Sequence, residues 1–309
     1  MTKIKNLFSN IKELSLVKKI ILCVVVVVFI GAIAGYLIFG NTGYKAKVTN
    51  GSDTLVSGDV SITKQNYFNY LLESYGVDSV VTDALNEIAE SEIKDDDDDF
   101  VAEVESLTET YSSYSTDGLD DYAIESGYED GDEFIEEYIK PMARLNVLSN
   151  KYIKDNLDDL LDEYNVCSFK LIITEKESQA LKIISKATTE EKFDKYMEKD
   201  DYSDNAQDAG IVTKNNTSLD ENLVDVLDKI AKNGDGIYSD AIKLSDDTYA
   251  VVYVYDSDHE DTDNYIDTLS SDSDIVEDIK ATYLKKYNFK VYSKKLKKEI
   301  KSTYSKYLD

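Results

Sequence analysis

Between Ile20 and Phe39 the chain runs for twenty residues without a charge, "IILCVVVVVFIGAIAGYLIF". A helix rises about 1.5 Å per residue, so this run reaches about 30 Å, the thickness of a bilayer's hydrocarbon core. Lys3, Lys5, Lys12, Lys18 and Lys19 precede it, with Glu13 as the only acid. The positive-inside rule keeps such an end in the cytoplasm. The reading is a cytoplasmic basic tail at 1–19, a single transmembrane helix at 20–39, and an extracytoplasmic remainder at the cell membrane. Two processing alternatives bear on it. "AIA" at Ala32–Ala34 has the form of a signal-peptidase site, but the apolar run continues through Tyr36–Phe39. "IILC" faintly resembles a lipoprotein box, but Leu22 is not small and the apolar stretch follows Cys23 instead of preceding it.

The sequence holds 62 acidic and 34 basic side chains, a net charge of −28. One acid and five lysines lie ahead of the span, which leaves 61 acids against 29 bases beyond it. Such a balance repels polyanions and excludes nucleic acid as a partner. Apolar residues make up 42%, enough for real cores, and one proline with 13 glycines argues against a disordered linker protein. Cys23 and Cys167 make no disulfide framework. No cofactor or metal is expected. The five consecutive carboxylates Asp95–Asp99 cannot converge on one ion and read as a helix start. Asp256–Asp267 has aspartates at the first and third positions of a calcium loop but lacks its central glycine and final glutamate. His259, the only histidine, falls in that segment, read as a solvated loop.

Helical spacing marks Tyr67, Phe68, Leu71, Leu72 and Tyr75, with Thr63 as N-cap and Gly76 as C-terminal stop. A second helix carries Val80, Val81, Ala84, Leu85 and Ile88, and a third Phe100, Val104, Leu107 and Tyr111. A long helix follows over 128–156, with Asp130 and Glu133 at capping-box spacing and Pro141 expected to kink it. "VCSFKLII" at Val166–Ile173 reads as a core strand and not as the setting of a nucleophile. A helix at 176–197, a polar loop, a short helix at 219–230 and two strands, "GIYSDAIKL" and "TYAVVYVYD", complete a small α+β unit. The last helical region, from Asp274, is rich in lysine. Tyr283, Leu284, Leu296 and Ile300 give it an apolar face, and docking on the acidic helices is expected.

Taken in order, these segments resemble the parvulin-type extracytoplasmic foldases and chaperones, the PrsA/SurA-like family. "GDVSITKQNYFNYLLESYG" resembles the family's N-terminal opening, and "AIESGYEDGDEFIEEYIKPMARLNVLSNKYIKDN" its helix leading into the isomerase domain. "YSDNAQDAG" and "NGDGIYSDAIKL" resemble its loop and closing turn. The resemblance implies an α+β fold: an N-terminal transmembrane helix, a helical SurA-like chaperone region at 44–164, an inserted parvulin-like domain at 165–258 with an antiparallel sheet and flanking helices, and a C-terminal helical region at 259–309 packing on the N-terminal one.

The resemblance also implies which positions carry the isomerase centre. The histidine of the family's first strand is matched to Lys170, its loop cysteine or aspartate to Asn205, and its second histidine to Ala250. No catalytic residue is therefore expected. Val212, Leu219, Leu223 and Phe169 are the candidates for contact with an extended peptide, against the alternative that they are ordinary core. Unfolded secreted polypeptides are the implied partners, met by aromatic surface such as Tyr67, Phe68, Tyr111 and Phe134, and a homodimer is compatible with the pattern. Three functions stay open at this point: a membrane-anchored chaperone with little or no isomerase activity, a prolyl isomerase with an altered pocket, and a structural cell-envelope module.

Overall fold

The structure is a computed structural model that describes residues 48–308. The basic tail, the apolar run 20–39 and Cys23 lie outside the described residues. Among the described residues no helix is long and apolar enough to cross a membrane. The described chain divides into two compact units, residues 48–82 with 288–308, and residues 83–287.

In the first unit a short antiparallel hairpin, β1 (Thr54–Val56) and β2 (Ile62–Thr63), leads into α1 (Lys64–Glu92). Thr63 Oγ1 accepts from Asn66 N at 3.2 Å, the expected N-cap bond. Gly76 does not end the helix, and the two helices expected over 63–88 are one element of 29 residues. A glycine stops a helix by turning left-handed, and Gly76 is not among the positive-φ glycines. It is buried, and a Cβ there would lie 2.8 Å from Leu72 Cδ1 and 3.8 Å from Leu296 Cδ1. The tight contact is with Leu72 of its own helix, and Leu296 of the last helix, α13 (Lys294–Thr303), lies at ordinary van der Waals distance. That helix buries Leu296 and Ile300, and Lys295 Nζ donates to Glu73 at 2.8 Å. The lysine-rich end is thus docked on an acidic helix through an apolar stripe.

The helical part of the second unit begins with α2 (Asp98–Ser112). Asp97 caps it by accepting from Asp99 N and Phe100 N, so the aspartate run starts a helix as expected. After α3 (Leu119–Glu125) comes α4 (Gly131–Phe134), capped by Asp130, which accepts from Glu133 N at 2.8 Å. The helix then widens into a π turn over Ile135–Ile139 and continues as α5 (Lys140–Asp155). Pro141 has no N–H to offer the carbonyl four residues back. The disruption expected there takes the form of this turn, with Lys140 N–H bonded to Ile135 O five residues away. A short α6 (Leu157–Glu163) leads into the sheet.

The sheet is antiparallel throughout. β3 (Cys167–Thr174) lies between β4 (Ala206–Val212) and β7 (Tyr249–Tyr255), and β5 (Gly236–Ile237) and β6 (Ile242–Lys243) share the outer edge of β7. Alternation sorts β3 and β7 onto two faces. Cys167, Phe169, Leu171, Ala250, Val252 and Val254 pack with Val212 beneath α9 (Glu221–Val224) and α10 (Leu227–Ala231). Ile172, Val251 and Tyr253 pack on α7 (Glu177–Lys186) and α8 (Glu190–Met197).

Several boundaries differ from expectation. The helix expected over 176–197 is two, broken at Ala187 (φ −89, ψ 52), which precedes the β-branched pair Thr188–Thr189. The helix expected over 219–230 is also two. β4 arises in the expected polar loop. It is an edge strand in which only Val212 is buried, so its alternation carries little apolar signal. Helix α11 (Thr262–Ser271) occupies part of the expected loop, and α12 (Ser273–Lys286) follows.

Candidate functional site

Lys170, Asn205 and Ala250 do not converge. Lys170 pairs with Tyr253 across the β3–β7 ladder, and Ala250 pairs with Ile173. The pleat therefore sends Lys170 to the α7–α8 side and Ala250 to the α9–α10 side. Ala250 shares its face with Cys167, Phe169, Leu171 and its direct partner Ile173, so the residue one position before Lys170 is on it. Phe169 and Ala250 are fully buried in the same apolar cluster. A one-residue slip moves a side chain to the other face of a sheet, and no composition signal separates Phe169 from Lys170. Asn205 is exposed and ends a 3₁₀ turn (Ser203–Asn205) just before β4.

Lys170 has its own partners. Its Nζ lies 2.8 Å from both Glu190 and Asp194 of α8, and 5.7 Å from the Tyr255 ring. Burial pulls its pKa down, but the hydrogen bonds to Asp194 and Glu190 outweigh this and hold it above the usual lysine value. Tyr255 donates to Asp208 at 2.8 Å, and burial followed by that bond raises its phenol. The group is a cluster of charge pairs on the α7–α8 face of the sheet.

Phe169, Val212 and Leu223 are at most 2% exposed, and Leu219 packs half-buried against them. The four peptide-contact candidates are together, but as core. Cys167 joins the same layer, and burial pushes its thiol up to about 12, the opposite of what a nucleophile needs. His259 stands in the turn after β7 with its ring edge-on to Tyr265 at 4.7 Å. Among the described residues no group of three or more His, Cys, Asp or Glu side chains is placed to hold a metal. A broad open cleft of about 850 Å³ runs beside the end of β4, lined by Val212, Asn215, Tyr255, Asp256, Asp267 and Asp272 among others. Asp272 is engaged there by Thr213 Oγ1 at 2.8 Å and by Asn215 Nδ2.

A different surface gathers aromatic rings. Phe134, 2% exposed, is surrounded by Tyr111, Tyr122, Tyr128 and Tyr138 at centroid distances of 5.3, 5.6, 5.0 and 5.0 Å. Tyr114 closes on Tyr111 at 5.6 Å. Phe134, named among the candidate aromatic surface, is the buried hub, and the tyrosines form its rim. Tyr114 (64%) and Tyr138 (40%) are the open faces. The hydrogen bond from Tyr111 to Tyr138, then burial, raises the Tyr111 phenol. Burial, then the Glu137 carboxylate, raises Tyr128. Tyr67 is exposed and Phe68 half-buried in the first unit. Tyr138 is legible at helical spacing from Phe134, on the stripe that continues through Met142, Leu145 and Tyr152, whereas Tyr114 and Tyr122 carry no such signal toward it.

No family model and no curated protein matches the chain. Among solved structures it is similar to the foldase PrsA of Streptococcus pneumoniae, at 15% identity, covering 83% of this chain and 100% of that one, with a TM-score of 0.40. It is similar to the peptidylprolyl isomerase PrsA of Bacillus cereus at 16% identity, with 82% and 99% covered and a TM-score of 0.48. PrsA of Bacillus subtilis is similar at 14% identity, with 80% and 97% covered and a TM-score of 0.37.

Proposed function

We propose that this chain is a membrane-anchored extracytoplasmic chaperone for secreted polypeptides, and that its parvulin-like domain is a scaffold whose prolyl isomerase activity has been lost. The observation that carries the reading is the closed apolar layer around Phe169 and Ala250. Rotating an X–Pro bond requires passing a barrier of about 20 kcal/mol. A catalyst lowers it by holding the twisted bond in a preorganised pocket. Here the face that carries Ala250 is filled by its own side chains, under Leu223, Leu227 and Ile230, and Lys170 on the other face is held by Glu190 and Asp194.

The tyrosine platform supports the chaperone half of the reading. Rings with apolar faces and polar tips bind unlike sequences without demanding one of them. The Glu133 and Glu137 carboxylates near Tyr128 suit clients that carry lysine or arginine.

The test is a paired assay on residues 44–309, which retain every described residue. Isomerisation of a proline peptide should run at the buffer rate, while aggregation of an unfolded client is suppressed. Acceleration of the peptide would instead make the protein an isomerase with an altered pocket. Absence of suppression, with one dominant crosslinked partner in the envelope, would make it a structural module.

A further inference from the structure

The β1–β2 hairpin has no core of its own. Every residue from Ser52 to Ile62 is exposed, and Leu55, Val56, Val60 and Ile62 are open to 49, 48, 68 and 40%. A lone two-stranded hairpin is marginal in water, and four aliphatic side chains on one add an apolar patch without cover. Its root is fixed: Lys64 N donates to Asp53 O at 2.8 Å and Gln65 N to Gly51 O at 2.9 Å. Just beyond, in the first turns of α1, Tyr67 and Tyr70 are about half exposed with their rings stacked at 6.5 Å.

Two facts choose the occupant. Fifteen residues separate Phe39, the end of the apolar run, from Leu55. Fifteen residues reach at most about 50 Å even at full extension, so a spanning helix at 20–39 keeps the hairpin within that reach of the bilayer surface. Charge agrees. From Gly40 to Lys64 there are three lysines against two aspartates, whereas the rest of the extracytoplasmic chain is heavily acidic. The stretch therefore carries no net negative charge for an anionic surface to repel, and tyrosine is a side chain enriched at the headgroup level.

We propose that the hairpin Leu55–Ile62, with Tyr67 and Tyr70, lies in the headgroup region of the anchoring membrane and orients the ectodomain on it. The proposal rests on the anchored reading given above. The patch is a lipid-facing foot, distinct from the tyrosine platform offered to clients.

The chain has no tryptophan, so single reporters are clean. Full-length Val60→Trp and, as control, Val101→Trp (Val101 being 44% exposed on α2) are reconstituted in phosphatidylcholine–phosphatidylglycerol vesicles, with and without brominated acyl chains. The Val60→Trp emission should shift to the blue, lose at least half its intensity to brominated lipid, and resist iodide, while Val101→Trp does none of these. Equal iodide access at both sites, in chain that stays with the vesicles after alkaline carbonate, overturns the foot and leaves the anchor standing. Chain that carbonate extracts overturns the anchor and the foot with it. A blue shift in detergent that grows with protein concentration assigns the hairpin to a second copy and also overturns the proposal.

Discussion

Lys170 and Asp194 are joined by a 2.8 Å hydrogen bond between β3 and α8, on the side of the sheet away from Ala250. A histidine placed at 170 therefore meets carboxylates and not the apolar layer. Lys170→His should leave proline-peptide isomerisation at the buffer rate. Because Glu190 and Asp194 are 50% and 42% exposed, Lys170→Met should cost only about 1 kcal/mol in a urea melt. Phe169→His is the severe change. It empties part of a full core and buries a polar ring there, for a loss of about 3–5 kcal/mol. A gain of isomerase activity in Lys170→His would contradict this assignment of faces.

Cys167 should be silent toward thiol reagents. In residues 44–309 it is the sole thiol, and burial moves its pKa from an ordinary 9.0 to about 12. The thiolate fraction near pH 8 then falls about 1000-fold relative to the unfolded chain. Labelling followed by mass spectrometry in buffer and in urea measures the ratio, and rapid modification of the native protein would place the residue outside the core.

Glu92 links pH to stability. The hydrogen bond from Lys286, then that from Tyr287 at 2.7 Å, hold its carboxyl below the usual 4.5. A depressed folded-state pKa means that the stabilisation is complete above the unfolded value and is lost as pH falls through the folded one. Glu92→Gln should cost about 0.5–1 kcal/mol near neutral pH. The difference from wild type should shrink steadily below pH 4.5, read from urea midpoints at a series of pH values. A difference that grows in acid would reverse the sign argued here.

Tyr114 and Tyr138 are the open rings of the aromatic platform. Tyr114→Ser with Tyr138→Ser should weaken suppression of client aggregation at least three-fold while moving the thermal midpoint by no more than a few degrees, since neither ring is the buried hub. Tyr67→Ser in the first unit should leave suppression unchanged. If Tyr67→Ser is the damaging change, the client surface lies elsewhere.

Strong apolar periodicity was readable from the chain: β3 and β7, the helix faces of Leu296 and Ile300, and the caps at Thr63, Asp97 and Asp130 follow local rules. Edge elements were not. β4 holds Gln207 and Asp208 at exposed positions, so its identity comes from pairing with β3 and not from its own residues. Gly76 illustrates the same limit: a glycine after an apolar stripe reads as a stop, yet here it sits buried inside a 29-residue helix without a positive φ. The candidate site turned on register. Phe169 and Lys170 are adjacent in sequence and opposite in space, and only the ladder to β7 decides which of them lies on the face of Ala250.

The widened turn ahead of Pro141 sets the angular phase between the two ends of one rod. Each residue advances an α-helix by about 100°, so shortening Ile135–Ile139 by one would swing the Phe134 ring round relative to the buried side of Ala143 and Val147. Ordinary helices can anneal such a defect by sliding it along. Here the imino acid at 141 cannot re-form the tighter bond, which pins the defect in place, and with it the direction in which the tyrosine rim looks.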